Sequence, residues 1–480
     1  MEQELKRKKL NQNQTINILQ ANICGGLHIK KVELAKLFKK ERIHVAMLQE
    51  ARHKNVNYDI TGYTSYPCEC KDCLGIITYI RDDITGDVSP ITIAHPTDVQ
   101  KVTIWYAERK YDLLNVYNPP KYECKLPNLQ DSIYHKTIIA GDFNGHSPLW
   151  GYSDHNNTGK FVEKLCGATN LYVHQTPETK ETLLHRAHLT LHRPDLTILS
   201  ADLENKCRVE VLDNIGSDHR PILISIMTAN KYTTDRRTRW NFRRANWSRY
   251  RDMTDQLLSS IEKEEVDSCN DAFVAAILTA SAQCIPRGSV QHYKPFWTPT
   301  LEEAVKVRKV ARETLEADGA PGNRTAYQKA CAKVKLAVKT EKKQKWQNTT
   351  AELNLENEGT KAWNLLKNLS GESRRSNPKP MNDQGANIVT DQKKAEHMNR
   401  AFASVSRAGK LTDQDKDKLR NLKQKEKAPT ASNALFEENL TKSELKQAIR
   451  KIKLRKAPGP DKIHGEMLRR LGAVGKEVLL

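Results

Sequence analysis

From Thr15 to Ile226 the chain is a succession of short apolar runs rich in Ile, Val, Thr and Tyr, each closed by turn residues. Such runs favour strands. Strands are expected at Thr15–Asn22, His44–Gln49, Leu74–Ile80, Lys101–Ala107, Tyr111–Tyr117, Lys136–Ala140, Asp195–Leu199, Arg208–Leu212 and Pro221–Ile226. Helical spacing interrupts them at Val32–Lys40, where Leu34, Leu37 and Phe38 share a face, and at Gly159–Gly167, where Phe161 and Leu165 do. A strand-rich half with a helix after its first strand predicts a two-sheet β-sandwich flanked by helices, an α/β (α+β) fold.

The character of the chain changes near Thr228. Residues 1–230 hold 28 Lys and Arg against 27 Asp and Glu, so nearly all of the formal charge of +20 lies beyond them. A basic surplus favours a polyanionic partner; the alternative is a set of solvated Lys-rich helices. Five regions are expected: a basic tail over 1–14, the sandwich over 15–228, a helical basic linker region over 229–370, a flexible linker with helices over 371–440, and a last segment over 441–480. That segment opens with a helix capped by Thr441 and Glu444 and runs into the rigid turn Lys456-Ala457-Pro458-Gly459-Pro460-Asp461. No window is apolar and long enough for a membrane span. The charged N-terminus lacks the apolar stretch of a secretion signal, so a nuclear or cytoplasmic protein is expected, with Lys6-Arg7-Lys8-Lys9 readable as an import signal or a frayed basic end. The ten cysteines are too dilute for a disulfide scaffold. Cys68, Cys70 and Cys73 have knuckle-like spacing, but a zinc site would need a fourth ligand such as His53 or Cys124, and a polar loop is the simpler reading.

The chemistry-bearing residues close the strands. Asn22 ends the first and Glu50 follows the second. Tyr117 ends Asn115-Val116-Tyr117, and Gly141-Asp142-Phe143-Asn144 follows Ile138-Ile139-Ala140. Asp195 opens another strand, and Ser217-Asp218-His219 stands just before the last. Hydrolysis of a phosphodiester needs negative charge neutralised, water activated and a leaving oxyanion stabilised or protonated. Acidic, amide and imidazole groups on loops over a rigid scaffold can supply all three. Taken singly, each of these residues reads as a turn or cap residue; the ordered set, one per strand end, is the signal.

That set, Asn22, Leu48-Gln49-Glu50, Tyr117-Asn118-Pro119, Gly141-Asp142-Phe143-Asn144, Asp195 and Ser217-Asp218-His219, resembles the endonuclease/exonuclease/phosphatase superfamily over residues 15–227. Gly141-Asp142-Phe143-Asn144-Gly145-His146 with Trp150-Gly151 resembles in particular the jockey-like non-LTR retrotransposons. The resemblance implies that Glu50 holds a divalent metal, Mg²⁺ or else Mn²⁺, with Asp218 as a second metal position. It implies that Asp142 handles the proton of the attacking water or leaving group, oriented by Asn22, and that Asn144 and Tyr117 bind the scissile phosphate. It further implies that His219, its tautomer fixed by Asp195, stabilises the transition state. Thr182 falls where such endonucleases often carry a Thr, in surroundings that depart from the usual pattern.

Leu445–Leu471, around the Ala-Pro-Gly-Pro-Asp turn, resembles the entry to a non-LTR reverse transcriptase. The metal-binding aspartates of a polymerase are not found; the one Asp-Asp pair, Asp82-Asp83, reads as a hairpin loop. The expectation is an Mg-dependent endodeoxyribonuclease that nicks a double-stranded DNA target so that the 3′-hydroxyl primes reverse transcription, with element RNA as a partner of the basic half. The alternatives are an inactive nucleic-acid-binding remnant and a repair-type apurinic endonuclease.

Overall fold

The computed structural model describes residues 15–52, 58–68, 75–91, 96–126, 135–175, 181–185, 188–228, 240–261, 265–288, 297–351, 359–370, 377–383, 385–406, 412–426, 439–454 and 456–480. Among the described residues, fourteen strands precede residue 228: β1 (Thr15–Asn22), β2 (Val45–Gln49), β3 (Tyr63–Cys68), β4 (Ile76–Arg81), β5 (Thr85–Ile91), β6 (Asp98–Tyr106), β7 (Arg109–Tyr117), β8 (Thr137–Asp142), β9 (Leu171–Val173), β10 (Leu183–Leu184), β11 (Leu191–His192), β12 (Asp195–Ser200), β13 (Cys207–Val211) and β14 (Ile222–Met227). Helix α1 (Leu27–Lys40) joins β1 to β2, and α2 (Asn157–Ala168) follows β8. The expected sandwich is present. One six-stranded sheet runs β13-β14-β1-β2-β4-β3 and the other β5-β6-β7-β8-β12-β9, with β10 and β11 forming a separate hairpin.

Both sheets are built alike at the centre. β1 and β2 are parallel, as are β7 and β8, and each pair is flanked by antiparallel strands. The carboxyl ends of the parallel strands therefore share an edge with the amino ends of β12 and β14. The registers make this concrete: Asn22 stands opposite Gln49, Tyr117 opposite Asp142, and Asp142 opposite Asp195.

Alternation along the strands sorts the core into layers. Ile16 and Ile18, Val45 and Met47, Leu113, Ile138 and Ala140, and Ile224 and Ile226 meet between the sheets. Their neighbours Leu19, Ala21, Ala46 and Leu48 face outward with Leu34 and Phe38 of α1. Leu114, Val116, Ile139, Leu196 and Ile198 pack with Val162, Phe161 and Leu165 of α2. β7 and β8 approach so closely that a Cβ on Gly141 would lie 1.8 Å from the Val116 carbonyl oxygen.

The chain gathers into two compact units, 1–234 with 293–400, and 235–292 with 401–480, so the units cut across the region that reads as a helical linker. In the first, α3 (Trp247–Leu258) and α4 (Val266–Cys284) have no part. It takes instead α5 (Pro299–Ala317) and the long α6 (Pro321–Ala351), whose Leu301, Ala304, Val334 and Val338 cluster with Trp297 and with Val32 of α1. It also holds Asn377, in the stretch that reads as a flexible linker. That side chain is buried, donates to the carbonyls of Arg81 (2.8 Å) and Ile84 (3.0 Å), and accepts from the Tyr66 hydroxyl. Composition marks a loop there; one amide that satisfies a strand-turn corner anchors it.

The second unit has its own core, in which Tyr250, Leu258, Phe273 and Ile277 of α3 and α4 meet Ile463, Met467 and Leu471. The carboxylate of Asp255 accepts from the backbone N–H groups of Ala473 and Gly475 (both 3.0 Å), capping a short C-terminal helix. The cap expected at Thr441 forms as a complete capping box with Glu444. Among the described residues no helix is long and apolar enough to cross a membrane.

Candidate active site

The inward positions of the central strands change character toward the shared edge. Ile16 and Ile18 give way to Gln20 and Asn22, Val45 and Met47 to Gln49, Leu113 to Asn115 and Tyr117, and Ile138 and Ala140 to Asp142. The period-two pattern that builds the core thus delivers functional groups into one cleft.

Asn22 is the hinge of the first cluster. Its side-chain amide donates to Asp142 Oδ2 (2.8 Å) and Glu50 Oε1 (3.0 Å), and its oxygen accepts from the Cys24 N–H (2.9 Å). Tyr117 reaches the same Glu50 oxygen at 3.3 Å. Burial, then the negative charges of Glu50 and Asp142, hold the Tyr117 phenol well above its ordinary pKa, so it remains a donor. Asn144 donates its backbone N–H to Asp142 Oδ1 (3.2 Å) and its side-chain amide to the Asn118 carbonyl (2.9 Å). Glu50 and Asn144 both follow a strand with φ of +48°, in the left-handed region. Asn tolerates that region and Glu rarely does, so the turn at Glu50 holds backbone strain of about 1 kcal/mol.

The second cluster is centred on Asp195. Its Oδ2 faces His219 Nδ1 at 2.7 Å and accepts from the Thr182 hydroxyl at 2.5 Å; its Oδ1 accepts from Gln20 at 2.8 Å. The other imidazole nitrogen, Nε2, points back toward Asp142 Oδ2 at 3.9 Å. Burial opposes a charge on His219, but the Asp195 carboxylate outweighs it, with Asp142 and Asp218 adding to the pull, and the pKa rises to about 10. Asp142 is pushed up to about 7, by burial first; the His219 charge pulls it down again, and Asp195 opposes that. Ser217 ties the loop to the first sheet by donating to the Asn22 carbonyl (2.9 Å), and it also reaches Asp218 Oδ1 at 3.2 Å.

All nine residues selected from the sequence, Asn22, Glu50, Tyr117, Asp142, Asn144, Asp195, Ser217, Asp218 and His219, thus stand at one edge of the sandwich. Thr182 joins them on Asp195. Sequence reasoning missed Gln20 and gave no role to Gln49 and Asn115, which it named only as neighbours of Glu50 and Tyr117; the three form a buried amide relay in which Gln20 donates to Gln49 (2.8 Å) and Gln49 to Asn115 (2.7 Å). Asn115 donates to Thr78 (3.1 Å), and Thr78 donates to Gln100 (2.5 Å). The signal was present as polar residues at inward positions of otherwise apolar strands.

Asp142, Asp195 and His219 offer ligand atoms within 4.8 Å of one another. That trio does not suit a metal: Asp195 already accepts from Gln20 and Thr182 and faces His219, and an ion would have to displace those partners. Glu50 suits one better. It is a half-buried carboxylate at the cleft, flanked by amide and phenol groups, and such hard oxygen donors fit Mg²⁺ or Mn²⁺. Cys68 ends β3, Cys70, Cys73 and His53 lie outside the described residues, and Cys124 is buried under α2 with its thiol pushed up to about 12, mainly by burial.

A family model described as endonuclease-reverse transcriptase matches residues 111–223, from β7 into β14, a span that includes Tyr117, Asp142, Asn144, Thr182, Asp195, Ser217, Asp218 and His219. Over that span the chain is similar to an endonuclease/exonuclease/phosphatase-type family, and the span lies within the two mixed sheets. Among solved structures, the chain is similar to the endonuclease domain of TRAS1, a telomere-specific non-LTR retrotransposon, at 18% identity over 45% of this chain and 100% of that one, with a TM-score of 0.36. It is similar to an AP endonuclease from Archaeoglobus fulgidus at 16% identity, over 44% and 99% of the two chains, with a TM-score of 0.36. It is also similar to D. rerio TDP2 complexed with a single-strand DNA product at 13% identity, over 45% and 99%, with a TM-score of 0.34.

Proposed function

We propose that the chain is a metal-dependent DNA endonuclease that nicks one strand of a double-stranded target, serving target-primed reverse transcription of a non-LTR retrotransposon. The observation that carries the reading is the pairing, in one cleft, of a buried Asp195–His219 couple with an Asn22-held Asp142. These supply the two charges that phosphodiester hydrolysis asks for: a base for water and a cation for the developing oxyanion.

A water placed beside Asp142 gives up its proton to that carboxylate as its oxygen attacks phosphorus. Asn22 fixes the carboxylate through its own amide. The P–O3′ bond breaks with its electron pair on O3′, which leaves as a hydroxyl by taking a proton from solvent, while Asp142 releases to solvent the proton it accepted. His219 presents Nε2–H to the non-bridging oxygens, which gain charge in the pentacovalent transition state, while Asp195 holds Nδ1 and keeps the ring charged. Tyr117 and the second N–H of Asn144 bind the phosphate. Glu50 would hold Mg²⁺ or Mn²⁺, with Asp218 as a second position, and the ion would supply charge neutralisation at the scissile phosphate. The turn at Lys456–Asp461, which resembles a reverse transcriptase entry, and the basic second half favour a retroelement nuclease acting in the nucleus, with element RNA as a further partner, over a repair enzyme.

The test is nicking of supercoiled plasmid by the full chain in Mg²⁺ and in chelator. Asp142→Asn and His219→Ala are expected to fold, His219→Ala with a lowered melting temperature because buried Asp195 loses a partner, to bind DNA normally and to lose about 10² to 10⁴ in turnover. Parent-rate nicking by either folded variant overturns the role given to that residue, and equal nicking in chelator overturns metal dependence.

A further inference from the structure

Helix α5 belongs to the region whose composition reads as a basic linker, yet two of its arginines are among the most buried charges of the first unit. Arg308 is 4% and Arg312 3% exposed. Four residues apart, they lie on one helix face and point at the segment Asp213–Arg220, which carries Ser217, Asp218 and His219. Arg308 makes a two-pronged pair with Glu33 of α1 (2.9 and 2.7 Å) and reaches the Asn214 carbonyl at 3.5 Å. Arg312 donates to the Asp218 carbonyl at 3.1 Å and to Glu316 at 2.6 Å, and Glu316 in turn pairs with Arg220. The loop's backbone favours glycine at its centre and leaves little room there. Gly216 has φ of +85°, and a Cβ there would come 2.7 Å from an Arg308 nitrogen.

The same loop is also held by its own residues. Asn214 donates to the carbonyls of Ser217 (2.5 Å) and His219 (3.1 Å) and accepts from the Gly216 N–H (2.7 Å), while Ser217 grips the Asn22 carbonyl. Helix α5 also packs through the apolar side chains of Leu301 and Ala304, and burying a charge costs several kcal/mol that only good partners offset. The arginines direct their donors to loop carbonyls and to acidic partners that orient them. A surface loop is ordinarily the mobile part of a domain, and a catalytic group tolerates little misplacement.

We propose that Arg312, assisted by Arg308, is a positioning residue for the Ser217–His219 loop, making α5 a working part of the nuclease rather than a linker. The consequence for activity rests on the nuclease reading above; the clamp itself does not.

The test uses the full chain with Arg312→Ala, Arg312→Lys and, as a control on the exposed face of α5, Lys306→Ala. Amide hydrogen exchange over 213–220 reads the clamp without reference to any reaction. Plasmid nicking in Mg²⁺ gives kcat and KM separately. Arg312→Ala is expected to speed exchange in the loop and lower kcat roughly 10- to 100-fold with KM unchanged. Arg312→Lys keeps a charge beside Glu316 but lacks the second N–H that reaches Asp218, so it falls between the two. Lys306→Ala behaves as the parent. Parent-level exchange in Arg312→Ala overturns the clamp, and faster exchange with parent kcat overturns its role in positioning. A parent chain that does not nick sinks the nuclease reading, while the exchange result still decides the clamp. Should Arg312→Ala fail to fold, parent values for both readouts in Arg312→Lys overturn the proposal.

Discussion

Gln20, on the first sheet, donates to Asp195, on the second, at 2.8 Å, and the same nitrogen donates to Gln49 at 2.8 Å. One amide thus ties the carboxylate behind His219 to a buried polar layer that crosses between the sheets. Gln20→Leu fits the apolar volume but leaves Asp195 Oδ1 and Gln49 Oε1 short of a donor in the interior. Leaving a buried acceptor unsatisfied costs about 1–3 kcal/mol. Urea unfolding of Gln20→Leu is expected to show a loss of that order, together with slower nicking because Asp195 is no longer fixed on both sides. A variant as stable and as fast as the parent would show that the relay is incidental.

Gly141 sets how near β7 and β8 approach, and with it the distance between Tyr117 and Asp142, which stand opposite each other in register. A methyl group there meets the backbone oxygen of Val116, which cannot move without breaking the parallel ladder. Gly141→Ala is expected to cost more than about 3 kcal/mol, on the scale of overpacking in a rigid core, and to abolish a cooperative melt. A soluble Gly141→Ala with the parent melting temperature contradicts the close approach.

The two-sheet sandwich is legible in the sequence because its strands alternate cleanly. β1, β2, β7, β8, β12 and β14 form within a few residues of where the pattern predicts them, and the residues that end or open them converge. What escapes is of two kinds. The edge strands β3, β5 and β9 and the two-residue strands β10 and β11 carry weak alternation, since a strand paired on one side only buries little and tolerates Ser, Pro and Thr. The docking of α5 and α6 escapes for another reason: Arg308 and Arg312 read as solvent-facing charges, and it is chiefly their partners Glu33 and Asp218, distant in sequence, that make them buried ones. Asn377 escapes in the same way, as one buried amide within a segment whose composition is that of a loop.

The working form of the site needs Asp142 charged and His219 protonated. Asp142 is raised to about 7 and His219 to about 10, so that form is populated between those values. Metal-supported nicking is expected to rise through the lower value and fall through the upper one, with the acid limb displaced downward when a cation sits nearby and favours the carboxylate. For stability the signs agree. The raised His219 contributes stability that is complete below its unfolded pKa of about 6.5 and lost as pH rises through about 10. The raised Asp142 favours the fold most below about 3.8 and less as pH rises through about 7. Asp195→Asn removes the main cause that raises His219, so its alkaline limb should move to lower pH. An alkaline limb that stays in place in Asp195→Asn contradicts the assignment of that limb to the His219–Asp195 couple.

Lys335, Lys339 and Lys343 repeat every four residues along α6 and are exposed, which sets three positive charges in a row on one helix face. They belong to the half of the chain that holds almost all of the net charge. Two outcomes are physically open to such a row: a solvated surface, or a track for a phosphate backbone. Salt separates them, because each phosphate neutralised on duplex DNA contributes about −0.9 to the slope of log K against log salt. Replacing all three lysines by Gln leaves helix propensity nearly unchanged. If the row binds phosphates, the triple variant weakens toward DNA of unrelated sequences alike, and the magnitude of its salt slope falls by about 0.9 for each phosphate no longer neutralised. Its kcat for nicking at saturating DNA should equal the parent's, because these lysines stand outside the set of strand-end residues that does the chemistry. An unchanged slope assigns these lysines to solvent and removes α6 from the nucleic-acid interface.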